Sequence, residues 1–596
     1  MMKKFLMGNE AIAHGALDAG VTFVSGYPGT PSTEVLECVA REKSADVYVE
    51  WSVNEKSALE IAAGASYSGA RVMVTMKQVG LNVASDPLMS LEYIGIKGGM
   101  VIVVADDPGP ISSQTEQDTR RFSQFSKVPL LDPATPEEAY EMTRDTFDIS
   151  EKYRTPVIIR PTTRVSHSCA DVTLRPAAAP QKGSGFVKGK EWVIFPRTSY
   201  LNHVRIAKRD VELAHEFSSY RYNTEEGEGR RAIATGGVPY LYTREALALL
   251  GQEQCKVFRV ATPYPFPEAA ALKFLESVDE VLIAEELDDT IEHYLIYLIG
   301  KYRLNVSVRG RADGFMPSAG ELSTEIIKQK AAEFLEIKAD THEAAAPEEL
   351  PVRPPVLCAG CPHRASFFAV KEAMKGRKAI FSGDIGCYTL GNAAPLDAVD
   401  TCLCMGAGIT IAQGIHTIQP DSVNFAFIGD STFFHTGIAG VVNAVYNDHD
   451  IVIVVLDNST TAMTGHQPHP GTGRTVTGEV SEKISVYNVL SAIGVKCIKR
   501  ADPLDLEAAK KAVIQAADFH GVSAVLFESP CAALFKSEKR CVVNDKCVGC
   551  RACINKLGCP AISFENSRAV IDVTLCSGCT LCTQVCPCGA IETEEA

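Results

Sequence analysis

Cysteines are concentrated near the C-terminal end of the chain, in two runs of the same form. Each run is a C-x2-C-x2-C triplet that is followed, after a gap, by a Cys-Pro pair. In this pattern a triplet supplies three thiolates to one [4Fe-4S] cluster, and the cysteine of the distant Cys-Pro pair completes the other cluster. The spacing therefore predicts two clusters and one-electron chemistry, with the ligands Cys547, Cys550, Cys553 and Cys586 for one cluster and Cys576, Cys579, Cys582 and Cys559 for the other.

Structural zinc sites and disulfides are the alternatives, but zinc sites use pairs of C-x2-C knuckles rather than triplets closed by Cys-Pro. The pattern resembles the two-cluster bacterial ferredoxins with one departure. Five residues separate Cys553 from Cys559, where three are usual. This longer loop bears on the geometry or the potential of the second cluster. Cys541 and Cys588 fall outside the pattern, and we expect them to be buried thiols rather than ligands.

Polar residues also follow two apolar runs farther upstream. The run 424–428 ends in Gly429-Asp430-Ser431, a helical stretch follows, and the run 451–456 is followed by Asn458. This is a strand–helix–strand unit, so Asp430 and Asn458 are expected at the carboxyl ends of neighbouring parallel strands, where open sheets bind ligands. Carboxylate and amide oxygens suit Mg²⁺, and Gly429 before a helix N-terminus suits a diphosphate. A turn aspartate and a capping asparagine are the alternative.

This G-D-x motif, with an asparagine 28 positions later, resembles the signature of thiamine diphosphate enzymes. Ser431 stands where glycine is usual. The resemblance implies that Asp430 and Asn458 bind Mg²⁺ through their side chains and Thr460 through its carbonyl. It also implies that Met405 supports the bent conformation of the cofactor, for which an ordinary core methionine is the alternative.

Thiamine enzymes of this kind need a glutamate that activates the cofactor. Glu55 precedes a helix rich in alanine and glycine and resembles that glutamate, with Glu60 as the second choice. A solvated glutamate at a helix start is the alternative. The segment 27–32, Y-P-G-T-P-S, resembles a loop that borders the substrate in 2-oxoacid:ferredoxin oxidoreductases, which implies a substrate contact for Thr30. A simple capping loop would have the same composition.

Four further cysteines lie in and around the segment that carries the G-D-x motif. Pyruvate oxidoreductases and their relatives hold a cluster near thiamine with a C-x2-C pair, a later G-D-x-G-C motif and a distant cysteine. The resemblance implies a third [4Fe-4S] cluster on Cys358, Cys361, Cys387 and Cys531, and it places Gly383 and Asp384 among the cofactor-binding residues. The alternatives are a zinc site that includes His363, or buried thiols without a ligand.

Apolar strand-like runs alternate with amphipathic stretches, which predicts a multidomain α/β protein with parallel sheets flanked by helices. Composition and resemblance together divide the chain into five parts. The predicted parts are a pyrimidine-binding thiamine diphosphate domain at 1–180, a polar connector and a transketolase C-terminal-like α/β domain at 181–335, a linker at 336–355, a diphosphate-binding thiamine diphosphate domain at 356–535, and a small α+β two-cluster ferredoxin domain at 536–596.

The bulk composition narrows the partners and the compartment. The chain has 596 residues and a net charge of −15, which argues against nucleic acid and anionic membranes as partners. No apolar stretch approaches the roughly 18 residues of a membrane span, and no apolar leader follows Met1. Ten of the 20 cysteines fall between Cys541 and Cys588, mostly in ligand spacing. We therefore expect a cytoplasmic protein.

The domain order resembles that of the alpha subunits of indolepyruvate ferredoxin oxidoreductases, within the 2-oxoacid:ferredoxin oxidoreductase family. The resemblance implies a catalytic subunit that converts indole-3-pyruvate, CoA and oxidised ferredoxin to indoleacetyl-CoA, CO₂ and reduced ferredoxin. It also implies a separate small beta subunit in an α2β2 assembly. The alternatives are an enzyme for phenylpyruvate, pyruvate or branched-chain 2-oxoacids, a non-oxidative thiamine decarboxylase, and a pure electron-transfer subunit.

Overall fold

The computed structural model describes residues 2–338, 351, 353–534 and 537–595. The chain divides into two compact units, Met1–Ala346 and Pro347–Ala596. Each unit is built on parallel sheets flanked by helices, which confirms the predicted α/β class. The boundaries of the five predicted parts remain a prediction, and most of the predicted linker 336–355 lies outside the described residues.

The first unit contains 13 strands and 13 helices among its described residues. The strands are β1 (Met2–Met7), β2 (Phe23–Gly26), β3 (Tyr48–Trp51), β4 (Val72–Lys77), β5 (Met100–Ala105), β6 (Leu130–Leu131), β7 (Val157–Ile159), β8 (Cys169–Leu174), β9 (Glu225–Glu226), β10 (Glu228–Thr235), β11 (Cys255–Arg259), β12 (Glu280–Ala284) and β13 (Ser307–Arg309). The helices are α1 (Gly8–Asp18), α2 (Thr33–Glu42), α3 (Glu55–Tyr67), α4 (Gln78–Val83), α5 (Ser85–Ile94), α6 (Thr119–Ser126), α7 (Pro136–Tyr153), α8 (Thr163–His167), α9 (Pro196–Phe217), α10 (Val238–Leu249), α11 (Glu268–Leu275), α12 (Thr290–Tyr302) and α13 (Thr324–Leu335).

Two sheets form the framework of this unit. The six-stranded sheet has the order β3-β2-β4-β5-β7-β6 with all pairs parallel, and β4 and β5 are almost wholly buried apolar runs because helices cover both faces. The five-stranded sheet has the order β13-β12-β10-β11-β9, in which only β9 is antiparallel to its neighbour. The buried guanidinium of Arg120 connects the two sheet regions of this unit. It pairs with Asp118 at the start of α6 and with Glu285, which follows β12 of the five-stranded sheet.

The connector predicted to be polar contains the longest described helix of the chain, α9, with 22 residues. Ile206, Leu213 and Phe217 are buried against the unit, whereas Tyr200 and Val211 lie exposed on another face. Basic residues interrupt both apolar faces, so neither gives a clear helical period in the sequence. The segment predicted as a polar connector therefore contains a long helix that the sequence did not reveal.

The second unit contains nine strands and eight helices among its described residues. The strands are β14 (Ala379–Ser382), β15 (Val423–Gly429), β16 (Val452–Asp457), β17 (Cys497–Ala501), β18 (Ser523–Glu528), β19 (Lys539–Val543), β20 (Ile562–Glu565), β21 (Arg568–Ile571) and β22 (Ile591–Glu595). The helices are α14 (Pro362–Ala373), α15 (Ala407–Ile418), α16 (Asp430–Thr432), α17 (Ile438–Tyr446), α18 (Val486–Ile493), α19 (Leu506–Ala517), α20 (Ala552–Asn555) and α21 (Leu581–Val585).

A parallel sheet and two short antiparallel two-stranded sheets make up the strand framework of this unit. The sheet has the order β14-β15-β16-β18-β17, while β19 pairs antiparallel with β22 and β20 with β21. One hydrophobic core extends from the sheet into the cysteine-rich segment, because Phe367 and Val513 belong to the same buried cluster as Cys553 and Leu581. The cysteine-rich segment is therefore packed onto the sheet domain rather than attached by a free tether.

None of the helices in the described part of the chain has the length and hydropathy that a membrane crossing requires.

Candidate active site

The strand ends of the second unit bring the predicted diphosphate and metal residues together. β15 and β16 are parallel neighbours, with Gly429 in register with Leu456, so Asp430 and Asn458 emerge at the same sheet edge. This confirms the predicted placement. The chain after Asp430 forms one short helical turn, a π-helical turn at Phe433–Gly437 and then α17. Such π turns occur often at functional sites, because they re-aim the residues of one turn.

Asp430 is only 3% exposed and has two defined partners. Its Oδ1 accepts a hydrogen bond from the Ser431 backbone N–H at 2.9 Å, and its Oδ2 lies 3.1 Å from Nε2 of His469. Burial by itself raises the pKa of Asp430, but the hydrogen bond and charge of His469 outweigh it and hold the pKa below its usual value. The carboxylate is thus kept ionised, which is the form that binds a cation.

Two residues at this edge were not identified from the sequence. His469 reaches Asp430 from a loop 39 positions later, and no spacing rule connects the two. Asp457 ends β16 directly before Asn458, and burial together with the nearby Asp430 raises the pKa of Asp457 to about 6. A polar pair after an apolar run was the signal that could have marked Asp457. A cleft of about 1040 Å³ opens here and is lined by Asp430, Asp457, Ser459 and His469 among others.

The donor set at this edge suits Mg²⁺ with a diphosphate. Asp430 offers a buried carboxylate, and Asn458 and Thr460 are buried beside it. In the described ranges, no three His, Cys, Asp or Glu side chains are arranged to hold one metal ion, so a magnesium site here would also need the amide and carbonyl oxygens of the predicted set. Gly429 is required by close packing, since a Cβ there would lie 2.6 Å from Cε1 of Tyr388.

The remaining predicted cofactor residues have structural partners in the same unit. Asp384 is buried and accepts hydrogen bonds from the backbone N–H groups of Ile385, Gly406 and Gly408, and burial raises its pKa to about 7. It therefore ties the loop after Gly383 to the start of α15. Met405 precedes that helix, is half-buried, and its carbonyl accepts a hydrogen bond from Thr436.

Glu55 occupies the N-terminal turn of α3 in the first unit. Asn54 caps this helix, since its Oδ1 accepts a hydrogen bond from the Ser57 N–H at 2.8 Å. Glu55 is 5% exposed, so the alternative of a solvated glutamate is not supported. Glu60, the second choice, is exposed and pairs with Lys56.

The predicted substrate loop lies beside a lysine that the sequence did not single out. Lys77 ends β4, and its Nζ lies 3.4 Å from the Ser112 carbonyl, while the Ser112 hydroxyl donates to the Thr30 carbonyl at 3.3 Å. Burial lowers the pKa of Lys77, and the charges of Asp107 and Glu55 partly offset this. These interactions bring Glu55, Lys77 and the Thr30 loop into one region. The sequence feature that could have identified Lys77 is its position at the end of a buried apolar strand.

Gly80 is expected to control the position of the Glu55 carboxylate. A Cβ at Gly80 would lie 2.4 Å from Oε1 of Glu55, so Gly80→Ala must displace the glutamate. A displacement of about 1 Å at a catalytic group can cost roughly 100-fold in rate, and we expect a loss of this size in an activity assay. Gly64→Ala is the matched control within α3, where a Cβ meets nothing within 4 Å. It should keep full activity and stabilise the helix by about 1 kcal/mol; equal losses in both variants would contradict the proposed contact.

The two cysteine sets predicted for the C-terminal clusters surround two separate cavities. The outer set is Cys547, Cys550, Cys553 and Cys586, and all four line one small cavity. The inner set is Cys559, Cys576, Cys579 and Cys582, and all four line a second small cavity. All 20 cysteines are free thiols, so the disulfide alternative is not supported. The grouping of the ligands by spacing agrees with the grouping of the side chains around the cavities.

Cysteines outside the predicted sets also lie in the walls of both cavities. Cys541 is buried in the inner cavity, and its backbone N–H points to Sγ of Cys576 at 3.5 Å. Cys588 lines the outer cavity but is exposed. The expected burial is found for Cys541 but not for Cys588, which the turn after Cys586 places at the surface. That neither cysteine is a cluster ligand stays a prediction.

The third set, Cys358, Cys361, Cys387 and Cys531, is drawn from three separate stretches of the second unit. Burial raises the pKa of the Cys387 thiol to about 11, and neighbouring Cys358 and Cys531 add to the effect. Burial likewise raises the pKa of Cys361 to about 12, with a contribution from Cys358. Charge interactions thus connect Cys387 with Cys358 and Cys531, and Cys361 with Cys358. Cys361 also lines the inner cavity, so the third set adjoins the inner set.

Comparison with known proteins identifies two domains of the chain. A family model described as pyruvate flavodoxin/ferredoxin oxidoreductase, thiamine diphosphate-binding, matches residues 14–192. A second model, the C-terminal TPP-binding domain of thiamine pyrophosphate enzymes, matches residues 384–526. The chain thus carries two thiamine diphosphate-type domains, and the matched ranges contain Glu55 and Asp430 respectively.

Similar full-length proteins narrow the family further. The indolepyruvate oxidoreductase subunit IorA of Thermococcus kodakarensis is 40% identical over 98% of this chain and 96% of the relative. IorA of Methanothermobacter marburgensis is 39% identical over 99% and 97%. Among solved structures, a 2-oxoglutarate:ferredoxin oxidoreductase from Magnetococcus marinus is 20% identical to this chain, with a TM-score of 0.45. The match covers 56% of this chain and 65% of the chain of that enzyme. The extent of the first two matches shows that this chain belongs to the family of IorA subunits of indolepyruvate oxidoreductases.

Proposed function

We propose that the chain is the catalytic subunit that oxidatively decarboxylates aryl 2-oxoacids, with indole-3-pyruvate as substrate and CoA as acyl acceptor. The observation that carries the proposal is that one chain combines two thiamine diphosphate-type domains with three grouped sets of four cysteines. Thiamine diphosphate supplies the nucleophile and the electron sink for decarboxylation. Iron–sulfur clusters carry electrons one at a time. A non-oxidative decarboxylase leaves both electrons in its product and needs no such clusters, so the cysteine sets favour the oxidative reaction.

The residues of the chain have separate tasks in this proposal. Asp430, Asn458 and Thr460 would hold Mg²⁺, which would supply positive charge for the diphosphate. Glu55 accepts the hydrogen bond of the aminopyrimidine ring, for which its buried carboxylate is suited. Lys77 supplies a half-buried positive charge beside the Thr30 loop, where the substrate carboxylate needs a partner.

The three cysteine sets supply the route for the electrons. With clusters bound, the third set would lie first on the route, the inner set would follow because Cys361 borders the inner cavity, and the outer set would be the exit toward a soluble ferredoxin. Two electrons leave in this way for each 2-oxoacid that loses CO₂. A separate small beta subunit, in an α2β2 assembly, completes the enzyme, and a reducing cytoplasm is the compartment that this cysteine usage favours.

An anaerobic assay of the reconstituted protein with its small partner tests the proposal. CoA-dependent viologen reduction is measured with indolepyruvate, phenylpyruvate, pyruvate and 2-oxoglutarate. We expect the highest kcat/KM with the aromatic acids. Reduction with pyruvate and none with either aromatic acid would overturn the substrate assignment. Release of an aldehyde without viologen reduction would show a non-oxidative decarboxylase.

The third cluster has its own test in iron content. Cys387→Ala removes one ligand of the third set, and we expect the iron to fall by about one third, from roughly 12 to roughly 8 atoms per chain. Cys255→Ala is the control. Cys255 is buried in β11 of the first unit and belongs to none of the three sets, so its substitution should leave the iron content unchanged. If Cys387→Ala retains the iron content of the parent, the third set holds no cluster.

A further inference from the structure

Arg364 is a buried cation at the junction between the third set and the inner set. It lies on α14 three residues after Cys361, is 4% exposed, and lines the inner cavity. Burial lowers its pKa, and the neighbouring sulfurs of Cys559 and Cys361 oppose the effect. A guanidinium in this position is costly unless negative charge compensates it.

The guanidinium donates hydrogen bonds to backbone carbonyls that lie next to cysteines of both sets. Nη1 donates to the carbonyls of Leu557 and Gly558, and Nη2 donates to the carbonyl of Leu357. Gly558 directly precedes Cys559, and Leu357 directly precedes Cys358. One side chain therefore holds the residue before a ligand of the inner set and the residue before a ligand of the third set.

The long loop between Cys553 and Cys559 contains two of the carbonyls that Arg364 binds, those of Leu557 and Gly558. Leu557 is fully buried, and Gly558 has a φ of +60°, which turns the chain toward Arg364. A Cβ at Gly558 would lie 2.4 Å from Cδ of Pro395 and 3.6 Å from Nη1 of Arg364. The additional residues of the loop thus form the part that meets α14.

Nothing among the described residues neutralises Arg364 with a carboxylate. Its Nε has no hydrogen-bond partner there, although it is buried. A [4Fe-4S] cluster with four thiolates carries net negative charge, and each added electron increases that charge. Cluster sulfur on either side of Arg364 would supply the compensation that the protein alone lacks.

We propose that Arg364 is a positioning residue for electron transfer, which fixes the third set against the inner set and favours the reduced state of the inner cluster. The inference rests on the clusters of the proposed function. In the step it assists, the third cluster loses one electron and the inner cluster gains it, with no proton or bond exchanged.

Potentiometric titration of the reconstituted full-length protein, followed by electron paramagnetic resonance, tests this proposal without substrate. Arg364→Gln keeps a donor but removes the charge, and we expect the reduction constant of the inner cluster to fall at least about tenfold, or about 59 mV for one electron. Arg364→Lys keeps the charge but cannot span both carbonyls, so we expect a midpoint near that of the parent and slower electron transfer from the third to the inner cluster.

Arg568→Gln is the matched control. Arg568 also donates to two backbone carbonyls, those of Val543 and Asn544, and lies near Cys547 of the outer set, but its side chain is 40% exposed. Solvent screens this charge, so the midpoints should change far less.

The outcomes separate the two proposals. Absence of cluster signals in the parent protein would overturn the proposed function. Full iron with unchanged midpoints in Arg364→Gln would overturn the role of the charge. If Arg364→Gln fails to assemble, Arg364→Lys decides, and an unchanged transfer rate in that variant would overturn the positioning role.

Discussion

Glu55→Gln is expected to abolish most of the activity, because the amide cannot take the place of a carboxylate against the aminopyrimidine ring. Proton-transfer groups of this kind contribute about 10²- to 10⁴-fold, and we expect a fall in kcat within that range. Gln fills the same volume in the first turn of α3, so the loss should not come from unfolding. CoA-dependent viologen reduction with indolepyruvate measures it, and thiamine diphosphate content should stay near that of the parent.

Glu60→Gln is the matched control for this prediction. Glu60 lies on the same helix, is exposed, and forms only a surface pair with Lys56, which contributes little to stability. We expect parent activity in this variant. If Glu60→Gln loses more activity than Glu55→Gln, the second choice made from the sequence is the activating residue.

The second large effect is expected for Asp430→Asn, measured as bound thiamine diphosphate and magnesium. The substitution keeps the shape of the side chain but removes the one buried carboxylate that the proposed ligand set contains. Removing a residue that only hydrogen-bonds to a metal ligand lowers metal affinity about 10- to 100-fold. Asp430 is a direct ligand in the proposed set, so its loss should lower the affinity at least as much. The expected result is a protein with its iron intact and little bound cofactor.

Asp421→Asn provides the comparison on the same strand. Asp421 is exposed and lies two residues before β15, at the opposite end from Asp430. Cofactor content should be unchanged in this variant. Normal cofactor content in Asp430→Asn as well would show that the diphosphate binds elsewhere.

The sequence was informative where function requires a fixed local spacing. Apolar runs of β15 and β16 ended at the predicted positions, because both strands are buried on two faces and tolerate few polar residues. The cysteine grouping could be predicted for the same reason, since a cubane limits the spacing of its ligands.

Partners brought together by long-range folding were not predictable. His469 meets Asp430 through a loop, and Arg364 meets Leu557 across 193 positions. Neither pair has a periodicity or a motif, so only the packing of the sheet against the cysteine-rich segment shows it. The helix α9 was missed for another reason, since its two apolar faces and its basic residues hide the period that identifies ordinary amphipathic helices.

The outer and inner cysteine sets differ in their access to solvent. Cys550 and the adjoining Cys588 are exposed at the outer cavity, whereas the inner cysteines are buried or half-buried. Oxidation of sulfur follows exposure, so oxygen is expected to attack the outer cluster first. If the three sets hold the proposed clusters, a briefly aerated sample is expected to lose iron from the outer set, and from the third set through exposed Cys358, before it loses iron from the inner set.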